Sequence, residues 1–269
     1  MSSIDDIHHF ATELAEKAGD LIVELRSMQR LNVDFKAGIE LVTNADIAAD
    51  KLISDAIRAR FPDHRILAEE SAPDIAAIAD TSTPLWIIDP IDGTVNYAHH
   101  HPQVAISIAY AERGKVQTGV VYNPFQAELF SAIRGQGSWL NDQPLHVSGL
   151  HELNRALIAT GFPYNKKPVL PLLMSRLQAV LENCADVRRL GSAALDICWV
   201  AMGRLDAYYE TVSPWDCAAA VLIAREAGAK CGHFMPVPEH MPEELCGENL
   251  LISTPALYND LQEILQAAS

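Results

Sequence analysis

The sequence predicts an α+β lobe over residues 1–143 packed closely against an α/β lobe over residues 144–269. Three observations carry this expectation. Two helical segments precede a series of short strand-like runs joined by hairpin connections, the pattern of an antiparallel sheet. In the second half, strands alternate with apolar helices, as in an α/β layer. The boundary falls near "NDQPLHVS" (141–148), where no flexible linker separates the halves, so the lobes are expected to pack directly.

Taken in order, Ser3 and Asp6 fit a capping box. Ile4, Ile7, Ala11, Leu14, Ala18, Leu21 and Leu25 then recur at the spacing of one helix face. A second helix is expected from Asn44 to Arg60, stopped by Phe61-Pro62. Five strand-like runs follow: "RILAE", "LWIID", "VAISIAYAE", "KVQTGVVYN" and "AELFSAI". In the second half "ALIATGF" reads as a strand and Leu170–Glu182 as a helix. "GSAALDICWVAMG" and "WDCAAAVLIAREAG" read as buried helices closing on glycine. "NLLIST" is a late strand, and "PALYNDLQEILQAA" a terminal helix with Pro255 near its first turn.

Composition excludes some function classes. The formal net charge is −15, from 35 acidic and 20 basic residues. Nucleic-acid and anionic-membrane surfaces draw most of their affinity from basic patches, so neither partner is expected. An anionic substrate would need bound cations to attract it. No apolar run reaches the roughly 20 residues that span a bilayer, and "MSSIDDIHHF" lacks the basic and apolar regions of a signal peptide. Five cysteines, odd in number and without a C-x-x-C pair, read as reduced interior thiols. A cytoplasmic protein is the expectation.

Carboxylates recur where elements end. Glu69-Glu70 follows "RILA", Asp89 and Asp92 follow "LWII", Asp46 lies in "VTNAD", and Asp216 follows Trp215 at a helix start. Each has a plain local role: Thr43/Asp46 and Ser213/Asp216 fit capping boxes, Asp92-Gly93 fits a turn, and Glu69-Glu70 fits a solvated strand end. Together they raise a second possibility, because element ends on one side of a fold can converge. Two carboxylates about 4 Å apart repel by roughly 4 kcal/mol in a surface-like dielectric. Converged acids therefore call for cations or protons. Magnesium, a hard ion that takes oxygen ligands, suits such a set, and no His/Cys cluster at zinc spacing competes.

The run Asp89-Pro90-Ile91-Asp92-Gly93-Thr94 resembles the D-P-[IL]-D-G-[ST] signature of the inositol monophosphatase family. "VTNAD", "EES", "GFPY", "GSAALD" and "WDCAAA" resemble the family's other blocks in the same order, so the resemblance spans essentially the whole chain. It implies a layered αβαβα sandwich of two closely packed lobes, magnesium dependence with two to three ions, lithium sensitivity and a homodimer. It implies hydrolysis of a small polyol phosphate monoester, with inositol 1-phosphate the leading candidate. Alternatives are a fructose-1,6-bisphosphatase or 3′-phosphoadenosine phosphatase type, or a regulatory binding protein on the same fold.

Carried onto this sequence, the resemblance implies that Glu69, Asp89 and the Ile91 carbonyl hold one ion. Asp89, Asp92 and Asp216 hold a second, and Glu69 contributes to a weaker third. Thr94 and Asp46 form the pair that positions the attacking water, with Glu69 joining them in the catalytic group. Gly93 and Thr94 offer backbone N–H groups to phosphate. Gly191, Ser192, Ala193, Ala194, Glu210 and Asp216 face the polyol. Glu70 and Lys36 are further candidates. Val95 stands where many relatives carry a second hydroxyl, and Ala220 where a glycine is usual. His99-His100-His101 is expected in an exposed loop, because adjacent residues cannot all face one ion, and Gly135-Gln136-Gly137 in a turn. Trp199 and Met202 are expected in the core.

Overall fold

The computed structural model describes residues 3–28, 33–36, 40–239 and 241–269. Chain order runs α1 (Ile4–Ser27), β1 (Val33–Lys36), β2 (Glu40–Thr43), α2 (Asn44–Arg60), β3 (Arg65–Ala68), β4 (Leu85–Asp92), α3 (Thr94–Ala98), β5 (Ala105–Glu112), β6 (Lys115–Asn123), β7 (Glu128–Ile133), β8 (Gly137–Leu140) and β9 (Gln143–Pro144). It continues with β10 (Leu157–Thr160), α4 (Leu170–Leu181), β11 (Asp186–Arg188), α5 (Ala193–Ala201), β12 (Ala207–Glu210), α6 (Pro214–Glu226), β13 (Lys230–His233), β14 (Leu250–Ser253) and α7 (Tyr258–Ala267).

Both long N-terminal helices begin where their caps predict. In α1 the Ser3 hydroxyl accepts from the Asp6 N–H, and Asp6 accepts from the Ser3 N–H in return. In α2, Asp46 accepts from the Thr43 N–H at 2.8 Å, and the Thr43 hydroxyl accepts from the Ala45 N–H. Pro62 follows α2 closely and cannot extend it. The buried stripe of α1 is wider than expected and drifts along the helix: Phe10, Ala15 and Ile22 are buried, whereas Leu21 and Leu25 are half-buried.

A seven-stranded sheet has the order β3-β4-β5-β6-β7-β8-β9, antiparallel throughout except for the parallel β3–β4 pair. Every residue of β4 is buried, as a strand covered on both faces must be. Helices α1 and α2 cover one face through Leu14, Ile22, Ile53 and Ile57, packed on Trp86, Ile88, Ile106 and Val120. Helices α5 and α6 cover the other face and touch the second sheet on their far side, uniting both lobes in one core. That sheet, β11-β10-β12-β14-β13, is mixed. Its outer face packs on α4 and α7 through Val180, Leu257, Leu261 and Leu265. The layers are therefore αβαβα, the sandwich that the resemblance implied.

Several short elements were not expected from the sequence: the β1–β2 hairpin, β8, β9, β11, β12 and β13. Strands of two to four residues leave little room for a period-of-two signal. The turn at Asp92-Gly93 leads from β4 into the one-turn helix α3, with Gly93 at φ +98° as N-cap. Gly203 and Gly228 both take positive φ just past α5 and α6, as helix-closing glycines do. His99–His101 lie exposed beyond α3, and Trp199 is core. Among the five free cysteines, Cys198, Cys217 and Cys246 are buried, and Cys184 and Cys231 half-buried. No described helix is long and apolar enough to cross a membrane.

Candidate active site

Two residues at positions i and i+3 of a regular strand point to opposite faces. Asp89 and Asp92 are so spaced, yet the β4–β5 register shifts between them. Such a bulge adds one residue to one strand and re-aims the side chains that follow. Pro90, inside the irregular step, has no N–H to lose from the ladder. The consequence is convergence: ligand oxygens of Asp89, Asp92 and Asp216 lie within 4.8 Å of one another. Glu69, at the strand end beside β4, lines the same cavity, and its charge acts on Asp89.

Helix N-termini hold two of these acids. Asp92 Oδ2 accepts from Ser192 Oγ at 2.6 Å and from the Ala194 N–H at 2.7 Å, and Oδ1 accepts from the Ala193 N–H at 3.3 Å. A carboxylate at the start of α5 gains from unpaired amides and from the helix dipole. Asp216 accepts from the Ser213 N–H at 2.8 Å at the start of α6, and Ser107 of β5 donates to the Trp215 carbonyl. Asp89 accepts from the Ile91 N–H at 2.9 Å. The Thr94 hydroxyl lies 2.9 Å from Asp46 Oδ1 and 3.1 Å from the Ile91 carbonyl, and can donate to either. Two glycines are required here. A Cβ on Gly93 would stand 2.8 Å from the Gln103 carbonyl, and one on Gly161 would stand 2.0 Å from Glu210 Oε2.

These acids border a cavity of about 350 Å³. Burial, then the charges of Glu69, Asp92 and Asp216, push Asp89 well above the usual carboxylate range. Burial raises Asp92 to about 6 against the opposing hydrogen bonds from Ser192, Ala194 and Ala193. Burial and the Asp92 charge raise Asp216 to about 8. Glu210, which accepts from the Tyr208 hydroxyl at 2.7 Å, is raised by burial to about 7. Asp46, buried behind Thr94, is raised by burial and held back by bonds from Thr43 and Thr94. The donor set is oxygen only, and burial together with mutual repulsion sets it against full ionisation without a cation. Both properties fit a hard divalent ion such as magnesium.

Of the candidate residues, Glu69, Asp89, Ile91, Asp92, Gly93, Thr94, Gly191, Ser192, Ala193, Glu210 and Asp216 line the cavity. Ala194 contributes its backbone N–H to Asp92 from behind the wall, and Asp46 reaches the cavity only through Thr94. Glu70 does not line it, but borders a separate depression beside α2 with Asp50 and Lys51. Lys36 lies in β1 opposite Glu40; its side chain falls outside the described residues. Val95 is exposed at 41% and is not among the cavity-lining residues. Ala220 sits in the buried face of α6, and its neighbour Ala219 packs over Gly119 of β6, where a Cβ would stand 2.7 Å from the Ala219 carbonyl. Sequence reading missed Asp196 and Arg189, both of which line the cavity. Asp196 ends the block "GSAALD", and its helical spacing from Ser192 was the available signal. Among the described residues, Arg189 is the only lysine or arginine on the lining.

The family model of the inositol monophosphatase family matches residues 3–266. The Nus factor SuhB of Pasteurella multocida is 40% identical over 222 residues, covering 82% of this chain and 82% of that protein. Among solved structures, inositol monophosphatase from Anabaena has a TM-score of 0.84 at 33% identity, covering 99% of this chain and 97% of that one. An IMPase/NADP phosphatase complexed with NADP and Ca2+ has a TM-score of 0.85 at 26% identity, covering 99% of this chain and 97% of that one. The layered sandwich and its cluster of carboxylate oxygens are compatible with the metal-assisted phosphatase class of site. The chain belongs to the inositol monophosphatase family.

Proposed function

We propose that this protein hydrolyses a small polyol phosphate monoester with magnesium, inositol 1-phosphate being the leading substrate. The observation that carries this reading is the convergence of Asp89, Asp92 and Asp216 beside Thr94, whose hydroxyl reaches the buried Asp46. Glu69, Asp89 and the Ile91 carbonyl would hold one ion, Asp89, Asp92 and Asp216 a second, and Glu69 would share a third. When bound, magnesium supplies charge neutralisation and Lewis acidity at the phosphate oxygens.

The chain's own residues do the rest. Thr94, donating its hydroxyl proton to Asp46, keeps a lone pair with which to orient the attacking water. As water oxygen bonds to phosphorus and the ester P–O bond breaks, Thr94 Oγ takes the water proton and passes its own to Asp46, whose affinity for a proton burial has raised, and the departing alkoxide takes a proton from solvent water. Gly93 and Thr94 present backbone N–H groups to the phosphate. Gly191, Ser192, Ala193 and Glu210 form the wall that a polyol leaving group would meet. The same reading carries a homodimer, lithium sensitivity and a cytoplasmic setting. Phosphate release from inositol 1-phosphate, fructose 1,6-bisphosphate and 3′-phosphoadenosine 5′-phosphate, each with and without magnesium, tests it. Release from none of them in magnesium would sink the phosphatase reading.

A second reading has its own support, in that relatives at about this identity carry the name Nus factor SuhB. On that reading the chain also acts as a Nus factor, through its surface and not its cavity. An Asp89→Asn protein that complements loss of such a relative without phosphatase activity would establish it.

A further inference from the structure

The cavity contains one more acid than the proposed chemistry uses. Asp196, in the first turn of α5, is 2% exposed and lines the cavity with Ala193 and Glu210. Its Oδ1 is buried without a hydrogen-bond partner. Among the described residues, it is the only side chain on the cavity lining with a buried polar atom left unpaired. Unpaired buried oxygens are costly and uncommon in folded proteins, so each asks for a partner that arrives later. The neighbouring acids are already committed: Asp92 to Ser192, Ala193 and Ala194, and Glu210 to Tyr208.

Position settles which part of a substrate Asp196 faces. It follows Ser192 by one helical turn on the same face of α5. The charges that reach it are those of Asp92, Glu210 and Arg189, not those of Glu69 or Asp89. It therefore stands on the leaving-group side of the cavity, away from the Glu69–Asp89 end. We infer that Asp196 is a specificity-determining residue whose carboxyl pairs with a hydroxyl of the leaving group, directly or through one ordered water. A polyol hydroxyl at the cavity side of α5 offers that carboxyl a partner, whereas an aryl leaving group offers none. This rests on the phosphatase reading above.

The test compares the magnesium-loaded parent and Asp196→Ala on inositol 1-phosphate and on nitrophenyl phosphate. The variant is expected to lose about tenfold in kcat/KM on the inositol ester, mainly through KM, while staying within about twofold on the aryl ester. Asp196→Asn keeps the shape and one acceptor oxygen, and is expected to hold the ratio of the two esters within about threefold of the parent. Equal losses on both esters would assign Asp196 a merely structural role, and an unchanged ratio would remove it from recognition; either overturns the inference. If thermal melting shows Asp196→Ala to be unfolded, Asp196→Ser, small and still polar, is read on the same two esters with the same overturning outcomes. A parent that cleaves neither ester defeats the phosphatase reading itself. A parent that cleaves both, with a ratio that Asp196→Ala does not move, defeats only the role of Asp196.

Discussion

Strand β4 carries a packed aromatic cluster at its start and a cluster of carboxylates at its finish. At the start, Trp86 lies 5.1 Å from the Tyr110 ring, 5.6 Å from Phe61 and 5.9 Å from Phe10, and its indole N–H donates to His64 Nδ1. At the finish, Asp89 and Asp92 are as deeply buried, but beside Glu69 and Asp216. Burial stabilises the first group and opposes ionisation of the second. The lesson is a division of labour along one strand: one end secures the sandwich, and the other holds charges together that the rest of the fold must restrain.

The comparison breaks most sharply at Asp89. Asp89→Asn is expected to lower kcat/KM for phosphate release by about four orders of magnitude, near 5.5 kcal/mol. The melting temperature of the metal-free variant should not fall, because a buried like charge has been removed. A large drop in melting temperature would count against the division. Trp86→Ala should do the reverse, costing about 3–5 kcal/mol in denaturant unfolding and leaving kcat/KM of the folded fraction nearly unchanged. Thr94→Val keeps shape but loses the hydroxyl that faces Asp46; kcat is expected to fall about 100-fold with little change in KM.

Acidity sharpens the same contrast. Asp92 and Asp216 are raised from ordinary carboxylate values to about 6 and about 8 in the fold. Groups raised on folding stabilise the native state fully below their unfolded value, and that contribution is lost as pH rises through the folded value. Metal-free protein is therefore expected to lose roughly 10 °C in melting temperature between pH 5 and pH 8. Magnesium must displace the same protons, so its stabilising shift should be larger at pH 8 than at pH 6. Scanning calorimetry with and without magnesium reads both; a magnesium shift that shrinks with pH would contradict the assignment of these acids to the ion. The smallest effect is expected at Val95. Because that side chain is exposed and off the cavity lining, Val95→Thr should alter kcat/KM by less than about threefold.

What could be read in advance follows the range of the interactions. The starts of α1 and α2 were legible because Ser3/Asp6 and Thr43/Asp46 cap their helices within a few residues. The long strands β4 to β7 were legible from continuous apolar or β-branched runs. Strands β12 and β13 are four residues long, and are strands because β14 pairs with both, a fact without local trace. At the site, the motif around Asp89 holds residues that the fold brings to one cavity. The register shift that aims Asp89 and Asp92 together is a property of the pairing with β5. Asp196 was passed over because its significance is its unpaired burial, which arises only when α5 packs between the sheets.

The bond from Ser192 to Asp92 joins residues 100 positions apart in the chain. Contacts of such separation close large loops and form late, because chain entropy must be lost before they return anything. The half of the cavity on α5 thus has no existence until the second sheet has folded against the first. During refolding, far-ultraviolet circular dichroism should recover ahead of phosphatase activity, and the lag between them would time the docking of the two lobes.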